Sequence, residues 1–117
     1  MDNIKLTFDN KEILVRLDDN IVTRELMKEL PLVLSFNDYS RTEKIAYLNK
    51  RYWIDDMVDK NHCPLKGDLM FYAPWGYLAL FYNDYIVSKG YVLLGKVISG
   101  LMYLDSLKGK VKLEKAI

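Results

Sequence analysis

The first segments of the chain alternate between apolar and polar residues, a pattern typical of half-buried strands. Residues Asn3 to Phe8 place Ile, Leu and Phe on one face and polar residues on the other, and Ile13 to Leu17 repeat the pattern. Asp9-Asn10-Lys11 between them has the composition of a tight turn. The sequence therefore predicts an antiparallel hairpin at the start of the chain.

The period then changes to that of a helix. Apolar residues recur at helical spacing from Val22 to Leu30, directly after Asp19-Asn20, which are residue types that cap helix N-termini. Pro31 ends this helix because proline donates no amide hydrogen and disfavours helix in the residue before it. Alternation resumes at residues 32–36, and after a polar bend a further strand is predicted over Glu43 to Leu48.

Two nearly apolar segments, Leu69 to Ala73 and Tyr77 to Tyr82, flank a bend at Ala73-Pro74-Trp75-Gly76. Strands that are apolar on both faces are typical of positions covered from two sides, as in a closed barrel or under a helix. Residues 49–66 show no regular pattern. The remaining predicted elements are a strand over Tyr91 to Ile98, a short helix over Ser99 to Leu107 and a last strand over Gly109 to Glu114.

Together these elements predict a mainly β fold with about eight mostly antiparallel strands and two short helices. A closed barrel is favoured because closure leaves no exposed strand edges. The 117 residues are enough for one hydrophobic core, so we expect a single domain over residues 1–117.

Composition narrows the classes of partner. The formal net charge of +1 comes from 17 basic and 16 acidic residues, so we expect neither nucleic acid nor an anionic membrane as the main partner. The sequence shows no membrane span and no signal-peptide pattern, and a cytoplasmic location is the simplest interpretation. Whether the chain forms a homodimer is left open.

The sequence contains no recognisable pattern for a metal or a cofactor. His62 and Cys63 are adjacent, so an extended chain points them to opposite faces, and two such residues are too few for a zinc site. Asp55, Asp56 and Asp59 lack the spacing and the glycine of a calcium loop. We therefore expect no metal and no cofactor.

Several motifs in combination resemble the small prokaryotic cyclophilin-like domain proteins. They are Leu17 to Asn20 at the entry to the first helix, Thr42 to Ile45, Gly67-Asp68, Ala73 to Gly76 and Phe81-Tyr82. Residues 88–107 also resemble the final strand and helix of cyclophilins. The resemblance implies an eight-stranded cyclophilin-like closed barrel, and it relates the chain to the peptidyl-prolyl cis-trans isomerases.

The chain departs from the isomerase pattern at the positions that carry catalysis in cyclophilins. Residues 34–48 lack the Met-x-Gln and paired glycines that follow the cyclophilin arginine segment, and residues 83–90 lack the Trp and His of that family. Arg41 lies in the right neighbourhood but in a polar bend. Tyr77 stands where the small proteins usually carry Asn. A weak or divergent isomerase stays an alternative, with its catalytic residues unassigned.

The leading hypothesis is a binding module that holds a small molecule or a peptide segment in an aromatic-lined cleft. Its polar candidates are Arg41 and Glu43, and its apolar wall comprises Tyr72, Trp75, Tyr77 and Phe81. A third alternative is a barrel face that pairs with itself or with a protein partner.

Each candidate also has an ordinary structural interpretation. The polar bend favours a solvent-exposed turn for Arg41 and Glu43. A tryptophan at position 75 anchors a barrel end as plausibly as it lines a cleft. Tyrosines most often bury the ring and leave the hydroxyl near water; this applies to Tyr39, Tyr47, Tyr72 and Tyr82.

Overall fold

The computed structural model describes residues 2–48, 63–86 and 89–116. Its elements are β1 (Asn3–Phe8), β2 (Lys11–Leu17), α1 (Ile21–Glu29), β3 (Leu32–Tyr39), β4 (Glu43–Tyr47), β5 (Asp68–Tyr72), β6 (Tyr77–Phe81), β7 (Tyr91–Ser99), a 3₁₀ helix (Leu101–Ser106) and β8 (Gly109–Lys115). The strands form a closed barrel in the order β1-β2-β7-β5-β6-β4-β3-β8, and every neighbouring pair is antiparallel. The predicted mainly β closed barrel is confirmed.

The predicted hairpin at the start of the chain is β1 and β2. Phe8 pairs with Lys11, so the connection consists of Asp9 and Asn10 alone. Both have positive φ, 46° and 61°, as a two-residue turn matched to the strand twist requires. Asp and Asn adopt this conformation more readily than most residues, which explains why the turn forms here.

Helix α1 begins with the predicted cap. The Asn20 side chain accepts a hydrogen bond from the backbone N–H of Thr23 (2.9 Å), and the Thr23 hydroxyl accepts one from the backbone N–H of Asn20 (2.9 Å). The helix ends at Glu29, and Leu30, before Pro31, is extended. Val22 and Met27 pack into the barrel core, so α1 covers part of it.

The second helix differs from its prediction over Ser99 to Leu107. Ser99 is the last residue of β7, and the helix is a 3₁₀ helix that starts at Leu101. Gly100 separates the two elements with a φ of 85°, and a Cβ there would lie 2.5 Å from the backbone oxygen of Glu12. The close approach of β2 therefore requires glycine at this corner.

Strand β6 is buried on both faces, as its apolar sequence predicted. Leu78 and Leu80 belong to the core inside the barrel. Tyr77, Ala79 and Phe81 point the other way and belong to a second cluster outside the barrel wall. This outer cluster also contains Ile45 of β4, Met70 of β5 and Tyr91 of β7, and it carries the candidate site.

Some sequence predictions fall outside the described residues, among them Asp55, Asp56, Asp59 and His62. Cys63 is exposed, and its Sγ lies 3.3 Å from the carbonyl oxygen of Ile86. Within the described ranges, His, Cys, Asp and Glu form no group of three or more that could hold a metal ion. The two helices described are too short to cross a membrane.

Candidate functional site

Four tyrosines lie side by side on the outer face of four neighbouring strands. Tyr47 pairs with Tyr77, Tyr77 pairs with Tyr72, and Tyr72 pairs with Tyr91 across β4, β6, β5 and β7. Residues directly opposite each other on adjacent strands share a face, so the rings meet. Their centroids are 5.5, 5.1 and 4.8 Å apart in that order. We call these four residues the tyrosine row.

A cavity of about 150 Å³ opens beside the tyrosine row, and we call it the aromatic cleft. The strands contribute three members of the row and the end of β3, while the connections that follow β5 and β6 contribute the rest. Its lining residues are Tyr39, Tyr72, Trp75, Tyr77, Tyr85, Lys89 and Tyr91. Three of the six predicted site residues, Tyr72, Trp75 and Tyr77, are among them.

The turn between β5 and β6 places Trp75 at the mouth of the cleft. The N–H of Gly76 donates to the carbonyl of Tyr72 (2.8 Å), and Gly76 has a φ of 72°. The indole plane lies at 75° to the ring of Tyr72 and at 77° to that of Tyr77. Trp75 is 52% exposed, so its ring faces solvent. It forms a second wall of the cleft, nearly perpendicular to the wall formed by Tyr72 and Tyr77.

Gly90 packs against this turn from the opposite side of the cleft. Its carbonyl accepts a hydrogen bond from the N–H of Ala73 (2.9 Å). A Cβ at position 90 would lie 2.9 Å from Cε1 of Tyr72 and 3.1 Å from Cδ of Pro74, and the φ of 86° also favours glycine. The position of the Tyr72 ring therefore depends on the absence of a side chain at residue 90.

The Glu43 carboxylate is buried behind the cleft, with 1% of the residue exposed. The Tyr91 hydroxyl donates to its two oxygens at 2.9 and 3.2 Å, and the Tyr77 hydroxyl donates at 3.4 Å. No lysine or arginine of the described ranges forms an ion pair with it. Burial raises the pKa of Glu43 above its ordinary value, although the two tyrosine hydrogen bonds oppose this.

The interpretation of Glu43 as part of a solvent-exposed turn is wrong. Glu43 is the first residue of β4 and pairs with Phe81 of β6, so its side chain enters the outer cluster. Burial also raises the pKa of Tyr77 and of Tyr91 above that of a free tyrosine. The two hydroxyls therefore remain protonated donors to the carboxylate across the neutral pH range.

Arg41 and Phe81, the other predicted site residues, do not line the cleft. Arg41 is exposed in the turn after β3 with a φ of 55°, and its carbonyl accepts a hydrogen bond from Asn83 Nδ2 (2.9 Å). Phe81 is fully buried and packs edge-on against Tyr91, with centroids 5.4 Å apart, so it supports the cleft from behind. Contact between a ligand and any of the six residues stays a prediction.

A second carboxylate that accepts a hydrogen bond from a tyrosine lies nearby but in a different environment. The Tyr82 hydroxyl donates to Asp38, and Lys44 Nζ lies 3.4 Å from the same carboxylate and 4.8 Å from the Tyr82 ring centroid. The Tyr82 hydrogen bond, the backbone N–H of Arg41 and the Lys44 charge lower the pKa of Asp38. Burial and this carboxylate raise the pKa of Tyr82 to about 12.

Sequence reasoning missed Tyr85, Lys89 and Tyr91 as lining residues. Tyr91 begins a strand and sits 48 residues from Glu43, so only the strand pairing brings the two together. The sequence does contain a signal, a tyrosine at one end of each of the strands β4, β5, β6 and β7. This signal becomes recognisable only once the strand pairing is known.

The comparisons with known proteins agree on the fold. The sequence model described as the cyclophilin-like family matches residues 6–114. Among solved structures, the chain is similar to the solution structure of the hypothetical protein AF2241 from Archaeoglobus fulgidus, with 16% identity, a TM-score of 0.76 and coverage of 98% of this chain and 95% of that one. At this identity the likeness concerns the fold alone. No curated protein matches the chain.

Proposed function

We propose that this chain, which belongs to the cyclophilin-like family, is a binding module that holds a small molecule or a peptide segment in the aromatic cleft. The observation that carries the proposal is the cleft itself, a concave site of about 150 Å³ walled by aromatic rings. Binding sites are typically concave and apolar, with a few polar groups that fix the orientation of the ligand. Here those polar groups are the tyrosine hydroxyls and Lys89.

The exposure of the cleft walls supports recognition over a purely structural role. Trp75 is 52% exposed and Tyr39 is 40% exposed, and both contribute ring surface to the same cavity. A single exposed apolar residue is ordinary, but several converging on one concavity are typical of a binding site. For the other alternative, a barrel face that pairs with a protein, the described residues offer no comparable concentration of exposed aromatic surface.

The rigidity of the supporting strands favours binding with little reorganisation. Tyr72, Tyr77 and Tyr91 each occupy the end of a strand in a closed barrel, and hydrogen bonds to Glu43 hold two of their hydroxyls. Because the walls are already ordered before binding, less conformational entropy is lost when a ligand associates. No observation favours the isomerase alternative to the same degree, since Arg41 lies outside the cleft lining.

A ligand screen followed by a matched pair of glycine variants tests the proposal. The screen measures the thermal shift of the purified protein with small aromatic, cationic and proline-containing compounds, because a ligand of the native state raises the melting temperature. Gly90→Ala places a methyl group against the Tyr72 ring, whereas Gly109→Ala introduces a side chain at a similar positive φ of 74° with no atom within 4 Å.

We expect a ligand from the screen to lose affinity by about tenfold or more in Gly90→Ala and to keep its affinity in Gly109→Ala. Equal losses in both variants would assign the effect to backbone strain instead of the cleft. A screen without any ligand would contradict the proposal. A protease-coupled proline-peptide assay with a rate above background that survives Trp75→Ala would favour the isomerase instead.

A further inference from the structure

We propose that the aromatic cleft selects a small zwitterion, with an alkylated ammonium group held against the indole of Trp75 and a carboxylate directed toward Lys89. This inference rests on the proposed function, because it names the chemical class of the ligand for the same cleft. Three features carry it: the exposed indole of Trp75, the buried carboxyl group of Glu43 and the lysine among the described lining residues.

The indole of Trp75 offers a ring face to a cation in the cleft. Tyr72 and Tyr77 stack at 29°, so their faces are turned toward each other, whereas Trp75 stands at 75° and 77° to them and is 52% exposed. A cation is attracted to the faces of aromatic rings, most strongly to that of tryptophan, and such contacts recognise alkylated ammonium groups. A neutral apolar group of the same shape gains no such attraction.

Glu43 places a buried carboxylate behind Tyr77 and Tyr91. These two hydrogen-bond donors of Glu43 are both lining residues, so tyrosine side chains separate the carboxylate from the cavity. The carboxyl group is 1% exposed, and the described lysines and arginines leave it without an ion pair. A cation in the cleft favours the ionised form of Glu43, and burial weakens the screening between the two charges.

Lys89 determines what the other end of the ligand carries. Its exposed side chain lines the cleft and forms no ion pair with the described acidic residues. A ligand with a positive charge alone is repelled by this ammonium group among the lining residues. A carboxylate at the far end of the ligand pairs with Lys89 instead, so the combination of charges favours a zwitterion over a simple cation.

The size of the cavity limits the head group. A cavity of about 150 Å³ is the size that holds one benzene molecule in an engineered protein core. A trimethylammonium group fits into that volume, whereas a bulky multi-ring cation does not. Glycine betaine, a trimethylammonium joined to a carboxylate by one methylene, is therefore a suitable probe.

The first test uses the unaltered protein and three probes. Glycine betaine is compared with 3,3-dimethylbutanoate, which has the same shape and carboxylate but a neutral head, and with choline, which has the same head but a neutral hydroxymethyl group in place of the carboxylate. Isothermal titration and chemical-shift changes of the tyrosine rings give the affinities. We expect glycine betaine to bind about tenfold more tightly than the neutral analogue and more tightly than choline.

The second test assigns the two charges with substitutions. Glu43→Gln keeps a hydrogen-bond acceptor and should weaken glycine betaine about tenfold while leaving 3,3-dimethylbutanoate unchanged. Asp38→Asn is the matched control, because it removes another carboxylate that accepts from a tyrosine but lies outside the cleft lining. Lys89→Met should reduce the preference for glycine betaine over choline.

The outcomes separate this inference from the proposed function. Equal or tighter binding of 3,3-dimethylbutanoate would overturn the ammonium assignment, and equal binding of choline would overturn the role of Lys89. If glycine betaine does not bind but a neutral compound of the screen does, the inference fails and the binding module stands. If no compound binds, both fail.

Discussion

Glu43 and Asp38 are two carboxylates, five residues apart, that both accept hydrogen bonds from tyrosine hydroxyls, yet their pKa values move in opposite directions. Glu43 is buried behind the cleft, and burial raises its pKa. Asp38 is exposed, and its pKa is lowered mainly by the Tyr82 hydrogen bond and to a smaller extent by the charge of Lys44, 3.4 Å away. A tyrosine hydroxyl alone therefore does not set the charge of its partner. The extent of desolvation decides it, because burial outweighs two tyrosine hydrogen bonds at Glu43, whereas the Tyr82 hydrogen bond outweighs burial at Asp38.

The largest difference between the two carboxylates should appear when each is removed. Glu43→Ala leaves the buried hydroxyls of Tyr77 and Tyr91 without this acceptor and creates a cavity, so we expect a loss of about 2–4 kcal/mol in the free energy of unfolding. Asp38→Ala should cost less, about 1 kcal/mol, because the carboxylate that it removes is itself exposed. Urea denaturation measures both. A larger cost for Asp38→Ala would break the comparison.

Removal of a tyrosine hydroxyl should also destabilise the Glu43 site more than the Asp38 site, but by a smaller margin in the free energy of unfolding. Tyr91→Phe deletes the 2.9 Å hydrogen bond to Glu43 inside the outer cluster, and we expect a cost of about 1–2 kcal/mol. Tyr82→Phe deletes an exposed hydrogen bond and should cost less. Carboxyl titration by NMR should show that each variant raises the pKa of its own partner, since each removed bond lowers that pKa.

The pH dependence of stability should have opposite slopes for the two groups. The folded state raises the pKa of Glu43 above 4.5, so its contribution is present below that pH and is lost as pH rises through the folded pKa. The folded state lowers the pKa of Asp38 below 3.8, so its contribution is present above that pH and is lost as pH falls.

Comparison of unfolding free energies between pH 3 and pH 8 checks this prediction. Glu43→Gln should remove a decline on the alkaline side of 4.5, and Asp38→Asn should remove a decline on the acid side of 3.8. A Glu43→Gln profile parallel to that of the unaltered protein would mean that Glu43 titrates normally.

The smallest expected effect concerns the wall of the cleft. Trp75→Ala removes a ring that is 52% exposed in a turn, so we expect less than about 1 kcal/mol of destabilisation. The same change should abolish binding of any cleft ligand, as titration would reveal. A large loss of stability would indicate that Trp75 anchors the barrel end.

Much of the fold follows from local patterns. Alternation fixes β1, β2 and β8, and the apolar sequence of β6 correctly indicates burial on both faces, because side-chain period is a local property. The last helix was misjudged because its start depends on β2: Gly100 is pressed against the backbone of Glu12, which delays the helix to Leu101.

The site was predictable only in part, and for a physical reason. Tyr72, Trp75 and Tyr77 belong to one hairpin, so a short stretch of sequence presents them together. Tyr91 and Glu43 join them through pairing across β5, β6 and β7, and nothing near either residue in sequence encodes that proximity. The burial of Glu43 is likewise a property of the assembled wall, which is why a polar bend was the natural interpretation.

The turn from Ala73 to Gly76 has a consequence for how recognition in this fold can change. Its backbone is fixed by Gly76 and by the hydrogen bond between Ala73 and Gly90, while the indole of Trp75 reaches outward from it. Under the proposed function, folding and ligand selectivity thus depend on different atoms of the same four residues. A library randomised at position 75 alone should therefore yield folded proteins with altered ligand preferences, which makes this turn a natural starting point for directed evolution.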